Sequence, residues 1–75
     1  MIKEKLHELM VSNFRLSDNA PDELSIDTIS TWDSITHLML IDKLEKEFNV
    51  EIAHSESIQL LSEAAILLLL EEKLK

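Results

Sequence analysis

The sequence predicts an all-α fold, a small four-helix bundle with three main helices, one short helix and a long loop between helices 1 and 2. Two observations predict it. Apolar residues recur at steps of three and four in separate segments, which is the spacing of one face of a helix. The alternation of apolar and charged residues at Val50-Glu51-Ile52 is too short to predict a sheet. With 75 residues, the chain is predicted to form one domain over residues 1–75.

The first predicted helix begins at Ile2, where the helical spacing of apolar residues starts. Its apolar face consists of Leu6, Leu9, Met10 and Phe14. The helical period is lost over residues 13–21, which contain the asparagine and proline typical of a loop.

A long acidic segment follows the first helix. Residues 17–33 hold five acidic residues and no basic residue. A loop of about 17 residues is unusual in a compact domain unless it is functional or is fixed by its own apolar side chains. We expect Leu24, Ile26 and Ile29 to be these anchors.

The second helix is predicted to begin near Ser34, because Asp33 and Ser34 are both residue types that cap helix N-termini. It is predicted to end near Asn49, since asparagine is the second choice after glycine for the left-handed residue that ends a helix. That choice matters here because the chain has no glycine. The apolar residues that we expect to be mostly core are Leu38, Leu40, Ile41, Leu44 and Phe48.

Two further helices complete the predicted bundle. A short helix is expected within residues 55–61. The last helix is predicted to follow Ser62, an N-cap residue type, and to end within residues 71–75, where lysines suit the negative end of the helix dipole. The four leucines at 67–70 cannot all point inward, so we expect one or two of them to be exposed.

The composition argues against several classes of function. The chain has 15 acidic and 7 basic residues, a net charge of −8, which disfavours binding to nucleic acid. It has no cysteine for a disulfide or a thiolate zinc site, and its three histidines are too scattered to predict a metal site. So short a chain has little material for a deep catalytic cleft. The longest apolar run, residues 64–70, is too short to span a membrane, and a cytoplasmic location is predicted.

One motif stands at the start of the second helix. Asp33-Ser34-Ile35 opens the helix, and Phe48 and Ile52 lie fourteen and eighteen residues after the serine. The run WDSITHLMLIDKLEKEFNVEI, residues 32–52, resembles the signature of acyl carrier proteins, the four-helix carriers of phosphopantetheine. The predicted helix count, the long first loop and the chain length also resemble that family. A serine at a helix N-terminus is physically suited to a phosphodiester, because free backbone N–H groups and the positive end of the dipole favour an anion.

The resemblance implies a carrier that is not itself an enzyme. Ser34 would bear 4′-phosphopantetheine, which a phosphopantetheinyl transferase moves from coenzyme A, with Trp32, Asp33 and Ile35 beside it. The cofactor supplies the thiol, so the absence of cysteine is no obstacle. An acyl-loading ligase or transferase and downstream biosynthetic enzymes would then act on the bound acyl group. A monomer is expected, because one arm has to reach successive enzymes.

The second helix also departs from the family pattern. Many members place a glycine shortly before the Asp-Ser pair, where this chain has residues 30–32, and Ile35 replaces the usual leucine. Thr36, Met39 and Lys46 stand where carboxylates are expected. The residues of this helix that we predict to contact partners are Ile35, Met39, Asp42 and Glu45. We therefore predict a partner set that belongs to a specialised pathway rather than to general fatty-acid synthesis.

Several alternatives remain open from the sequence. The carrier could hold a peptidyl or aminoacyl group, as D-alanyl carriers do. The chain could also be a helical protein-interaction domain that never receives the arm, or a degenerate carrier that keeps the fold but is no longer recognised by transferases. Trp32 either anchors the loop on the core or flanks the arm. Ile35 and Met39 are either core residues or an exposed partner patch. Of the second-helix residues expected to be mostly core, Leu38 to Phe48, some could line the space that receives a short acyl chain. A hydrolase built from Ser34, His37 and Asp33 is disfavoured, because adjacent helical side chains do not form the required relay of hydrogen bonds.

Overall fold

A computed structural model describes residues 2–17 and 20–74 of the chain. The helices are α1 (Ile2–Phe14), α2 (Ser34–Phe48), α3 (His54–Ser57) and α4 (Glu63–Lys73). The described residues form no strand, and the all-α prediction is confirmed. Residues 18 and 19 of the predicted loop, and residue 75 of the last predicted helix, lie outside the described residues.

The core forms where α1 lies against both α2 and α4. Each of these helices contributes fully buried side chains, and the long loop and the segment after α3 add the rest. The buried apolar residues are Leu6, Met10, Phe14, Leu24, Ile29, Trp32, Leu40, Ile41, Leu44, Leu60, Ile66 and Leu70. Phe48 is half-buried against this core. Of the leucine run in α4, Leu70 is buried and Leu68 is exposed, as predicted.

Two helices end in left-handed residues that are not glycine. Asn49 has φ 53° directly after α2, which confirms the predicted helix end. Arg15 has φ 55° directly after α1, which the sequence did not predict. In both cases the N–H of the next residue donates to the carbonyl of the residue five positions earlier. These bonds join Leu16 to Val11 and Val50 to Glu45. This is the bond of the Schellman motif, which usually places glycine at the left-handed position.

The loop between α1 and α2 is fixed to the start of α4. Ser25 and Ser62 form an isolated antiparallel bridge, and the N–H of Glu63 donates to the carbonyl of Leu24 at 2.8 Å. Leu24 and Ile29 are buried and anchor the loop as predicted. The prediction for Ile26 was wrong, because this residue is 43% exposed. The bridge holds its backbone at the surface, where its N–H donates to the carbonyl of Leu61.

The short helix lies within the predicted residues 55–61 except for its first residue. It begins one residue before that segment, at His54, where the Glu56 carboxylate accepts the N–H of Ala53 at 2.9 Å. It ends at Ser57; after it, Leu60 is buried in the core and Ser62 takes an extended conformation and caps α4. The side chain of Ser62 accepts the N–H of Ala65, as its residue type predicted.

Candidate functional site

Ser34 is the first residue of α2, and two neighbouring side chains fix that position. The Asp33 carboxylate accepts the N–H of Thr36 at 2.9 Å, and the Thr36 hydroxyl accepts the N–H of Asp33 at 2.8 Å. This reciprocal pair is a capping box, in which threonine takes the place of the usual Glu or Gln. The cap is made by Asp33 and Thr36, so the exposed Ser34 side chain is not required for it.

The cap also sets the charge at the helix start. The hydrogen bond from the Thr36 N–H lowers the pKa of Asp33 below its ordinary value of 3.8. Asp33 therefore remains ionised at neutral pH and satisfies one of the free N–H groups at the N-terminus of α2. The backbone N–H of Ile35 also interacts with this carboxylate, and the positive end of the α2 dipole lies beside Ser34.

The end of α1 holds this capped turn in place. The Thr36 hydroxyl donates to the carbonyl of Thr31 at 2.8 Å, and the Thr31 hydroxyl donates to the carbonyl of Phe14 at 2.8 Å. The amide of Asn13 donates to the carbonyl of Thr36 at 3.0 Å. Because these bonds connect the last turn of α1 to the first turn of α2, the position of Ser34 is fixed relative to the core.

Trp32 joins the core to the site. Its ring stacks on Phe14 with centroids 4.6 Å apart and is 6% exposed, so it anchors the loop on the core. The indole N–H donates to Nδ1 of His37 at 3.0 Å. Trp32 also lines the cavity beside Ser34. The first of the two predicted roles is therefore observed, and the position of Trp32 is compatible with the second.

His37 connects α2 to α3. Since an indole N–H can only donate, Nδ1 of His37 is the acceptor of this hydrogen bond. Nε2 is 2.9 Å from the carbonyl oxygen of Ser57 and 3.2 Å from its hydroxyl. Both ring nitrogens are thus engaged away from Ser34, which removes His37 as a base for a serine nucleophile.

A cavity of about 460 Å³ opens beside Ser34. Its walls are exposed apolar side chains from α2, from the segment after α3 and from the long loop: Leu38, Ile58, Leu61 and Ile26. Its inner side is formed by the more buried Trp32, His37 and Ser57. Asp33, Ser34 and His54 complete the lining. The serine that heads α2 therefore opens into an apolar space.

The outer face of α2 carries an exposed apolar patch. Ile35 is 68% exposed and Met39 is 46% exposed, so neither belongs to the core. Leu38 belongs to the set predicted to be mostly core with some members lining a space for a short acyl chain; it is 66% exposed and lines the cavity, so the second part of that prediction holds for it. We call Ile35, Leu38 and Met39 the α2 patch.

The two acidic residues predicted to meet partners differ in their surroundings. Asp42 is exposed and pairs with Lys46 at 3.1 Å, one turn along α2. Glu45 is half-buried, and its carboxylate accepts the N–H of Ile52 at 2.9 Å. Glu45 therefore fixes the chain after α2, a role that the sequence did not predict.

Several lining residues were missed at the sequence level. Leu38 is not one of them: it lies four residues after Ser34, this spacing places the two on one side of the helix, and it belongs to the set from which acyl-lining residues were expected. Ile26, His54, Ile58 and Leu61 come from distant segments and gave no local signal. Among the described residues, no group of three His, Cys, Asp or Glu side chains is placed to hold a metal ion. No helix in the described ranges combines the length and apolar character needed to cross a bilayer.

Comparison of the chain with protein-family models and with curated proteins gives no match. The arrangement around Ser34 is therefore the basis for assigning a function.

Proposed function

We propose that this chain is an acyl carrier protein that bears 4′-phosphopantetheine on Ser34. The observation that supports this function best is the exposed Ser34 side chain, which heads α2 and opens into an apolar cavity. The resemblance of residues 32–52 to the carrier signature supports the same assignment. The chain itself catalyses no step in this proposal.

The residues around Ser34 fit the attached group. Attachment forms a bond from the Ser34 oxygen to the pantetheine-side phosphorus of coenzyme A. The phosphoanhydride bond breaks, adenosine 3′,5′-bisphosphate leaves, and the serine proton passes to a base of the transferase. The resulting phosphodiester anion is stabilised by the N–H groups at the start of α2. The neighbouring Asp33 carboxylate is held by the N–H of Thr36.

The cavity and the α2 patch suit the two later tasks of a carrier. The attached arm supplies a thiol on which an acyl group is held as a thioester. The cavity walls of Ile26, Leu38, Ile58 and Leu61 offer apolar contact to such a group. The α2 patch is available to partner enzymes, since exposed apolar clusters commonly mark interaction sites.

The charge of the chain indicates the chemistry of those partners. With a net charge of −8, the carrier attracts enzymes whose docking surfaces are basic around an apolar centre. Thr36, Met39 and Lys46 replace expected carboxylates on α2, and Thr36 is committed to the cap. We therefore propose a specialised biosynthetic pathway, and a monomeric carrier in the cytoplasm.

Incubation with coenzyme A and a broad-specificity phosphopantetheinyl transferase tests the proposal. We expect the intact mass to rise by one phosphopantetheine, and Ser34→Ala to abolish this gain. Ser30→Ala, which removes another exposed hydroxyl four residues away, is the matched control and should leave the gain intact. The assignment is wrong if the unaltered chain gains no mass, or if Ser34→Ala gains as much as Ser30→Ala.

A further inference from the structure

The cavity beside Ser34 is closed on its inner side by hydrogen bonds rather than by apolar packing alone. His37 accepts from Trp32 and contacts the carbonyl of Ser57, so it spans the space between α2 and α3. Ser57 is 7% exposed, whereas Leu38 and Ile58 at the walls are 66% and 57% exposed. A group that enters between these walls therefore meets the imidazole before it reaches the core.

Moving His37 aside would be costly. The ring would lose its bonds to both neighbours, and the indole N–H of Trp32 would be left without an acceptor. Trp32 is 6% exposed, and a buried donor without a partner is strongly unfavourable. The stack of Trp32 on Phe14 holds the indole in place, so it cannot easily follow His37.

We propose that His37 limits the depth of the cavity and so selects short, apolar acyl groups as the cargo. This inference rests on the proposed attachment at Ser34. An acyl chain short enough to end at the imidazole is in contact with Leu38, Ile58 and Leu61 over its whole length. A longer chain must either displace His37 or extend into water.

The consequence is an acyl-chain length beyond which further methylenes no longer stabilise the docked chain. Each methylene that leaves water for an apolar contact favours the docked chain about fourfold. Methylenes beyond His37 gain no such contact in the unaltered protein. Replacing the imidazole by a smaller side chain opens the inner side and lets further methylenes be buried.

The experiment compares a series of saturated acyl-phosphopantetheine groups, loaded onto Ser34 from the corresponding acyl-coenzyme A compounds. Intact mass confirms each loading, and the urea midpoint of unfolding is measured by circular dichroism against the unacylated holo form of the same variant. We expect the midpoint to rise with chain length and then to level off in the unaltered protein. In His37→Ala the rise should continue for at least two more methylenes.

The control is His7→Ala, which removes an imidazole that bonds Glu63 and does not line the cavity. It should level off at the same length as the unaltered protein. His37→Asn is the second variant: its smaller side chain keeps an acceptor oxygen for the indole N–H of Trp32, and it should extend the rise in the same direction if the alanine variant does not fold.

The two proposals fail in different ways. Without a mass gain at Ser34, the carrier function itself is wrong. With full loading, the inference about His37 is overturned if the midpoint of the unaltered protein rises without levelling off across the series. It is also overturned if the folded His37 variants level off at the same length as His7→Ala.

Discussion

Replacing Thr36 by valine tests how the start of α2 is held. Valine keeps the branched shape but removes the hydroxyl, which accepts the N–H of Asp33 and donates to the carbonyl of Thr31, each at 2.8 Å. A hydrogen bond of this kind contributes about 0.5–1.5 kcal/mol net. Because Thr36 is half-buried, water replaces part of what is lost, and we expect a total destabilisation of about 1–2 kcal/mol.

Thermal unfolding followed by circular dichroism measures this effect. For a domain of this size, a loss of that magnitude lowers the melting temperature by about 4–16 °C. Thr36→Ser keeps both hydrogen bonds and is the matched control, with a much smaller shift. Thr31→Val removes only the bond to the carbonyl of Phe14 and should fall between the two.

Hydrogen exchange locates the change. In Thr36→Val, the amide of Asp33 loses its acceptor and should exchange faster than in Thr36→Ser, while the amides of buried Leu40 and Leu44 are less affected. Equal melting temperatures for Thr36→Val and Thr36→Ser would show that the capping box does not hold the start of α2.

Three further predictions concern other parts of the fold. The pKa of Asp33 is lowered in the folded chain, so its contribution to stability is present above its ordinary pKa of 3.8 and is lost as the pH falls through the lower folded value. Asp33→Asn should flatten the acid side of a plot of unfolding free energy against pH, and an unchanged slope would contradict this. Arg15→Gly should stabilise the chain by about 0.5–1 kcal/mol in urea unfolding, because glycine adopts the left-handed conformation without strain. Asn49→Gly should stabilise the chain less, since asparagine already tolerates this conformation. A larger gain for Asn49→Gly than for Arg15→Gly would refute the strain argument. In the same assay Leu44→Ala should lower the free energy of unfolding by about 2–5 kcal/mol, because Leu44 is fully buried. Leu38→Ala should lower it by well under 1 kcal/mol, because Leu38 is exposed. Similar losses for the two variants would contradict this difference in burial.

The bounds of α2 could be predicted because both of its ends are determined locally. Asp33 makes the cap with a residue three positions away, and Asn49 occupies the left-handed position directly after the helix. The motif around Ser34 likewise consists of residues that are neighbours in the sequence, Asp33-Ser34-Ile35. Its position at the head of a helix therefore followed from neighbouring residue types alone.

The cavity could not be predicted in the same way, because distant segments build it. Ile26 reaches the site through the bridge between Ser25 and Ser62, and Ile58 and Leu61 reach it from the segment after α3. Helical periodicity correctly places Leu38 on the apolar side of α2. It does not show which neighbouring segments cover that edge, so it could not decide which of the apolar α2 residues are core and which line the cavity.

The sole tryptophan gives the chain an intrinsic fluorophore at the site. There is no tyrosine to compete with it in absorption or emission. The indole of Trp32 lies between Phe14 in the core and the imidazole of His37 beside the cavity. Its emission therefore reports both on the integrity of the core and on occupation of the cavity. If Ser34 bears the arm as proposed, we expect this emission to change on loading, so that the reaction is followed in real time with no label on the protein or its cargo.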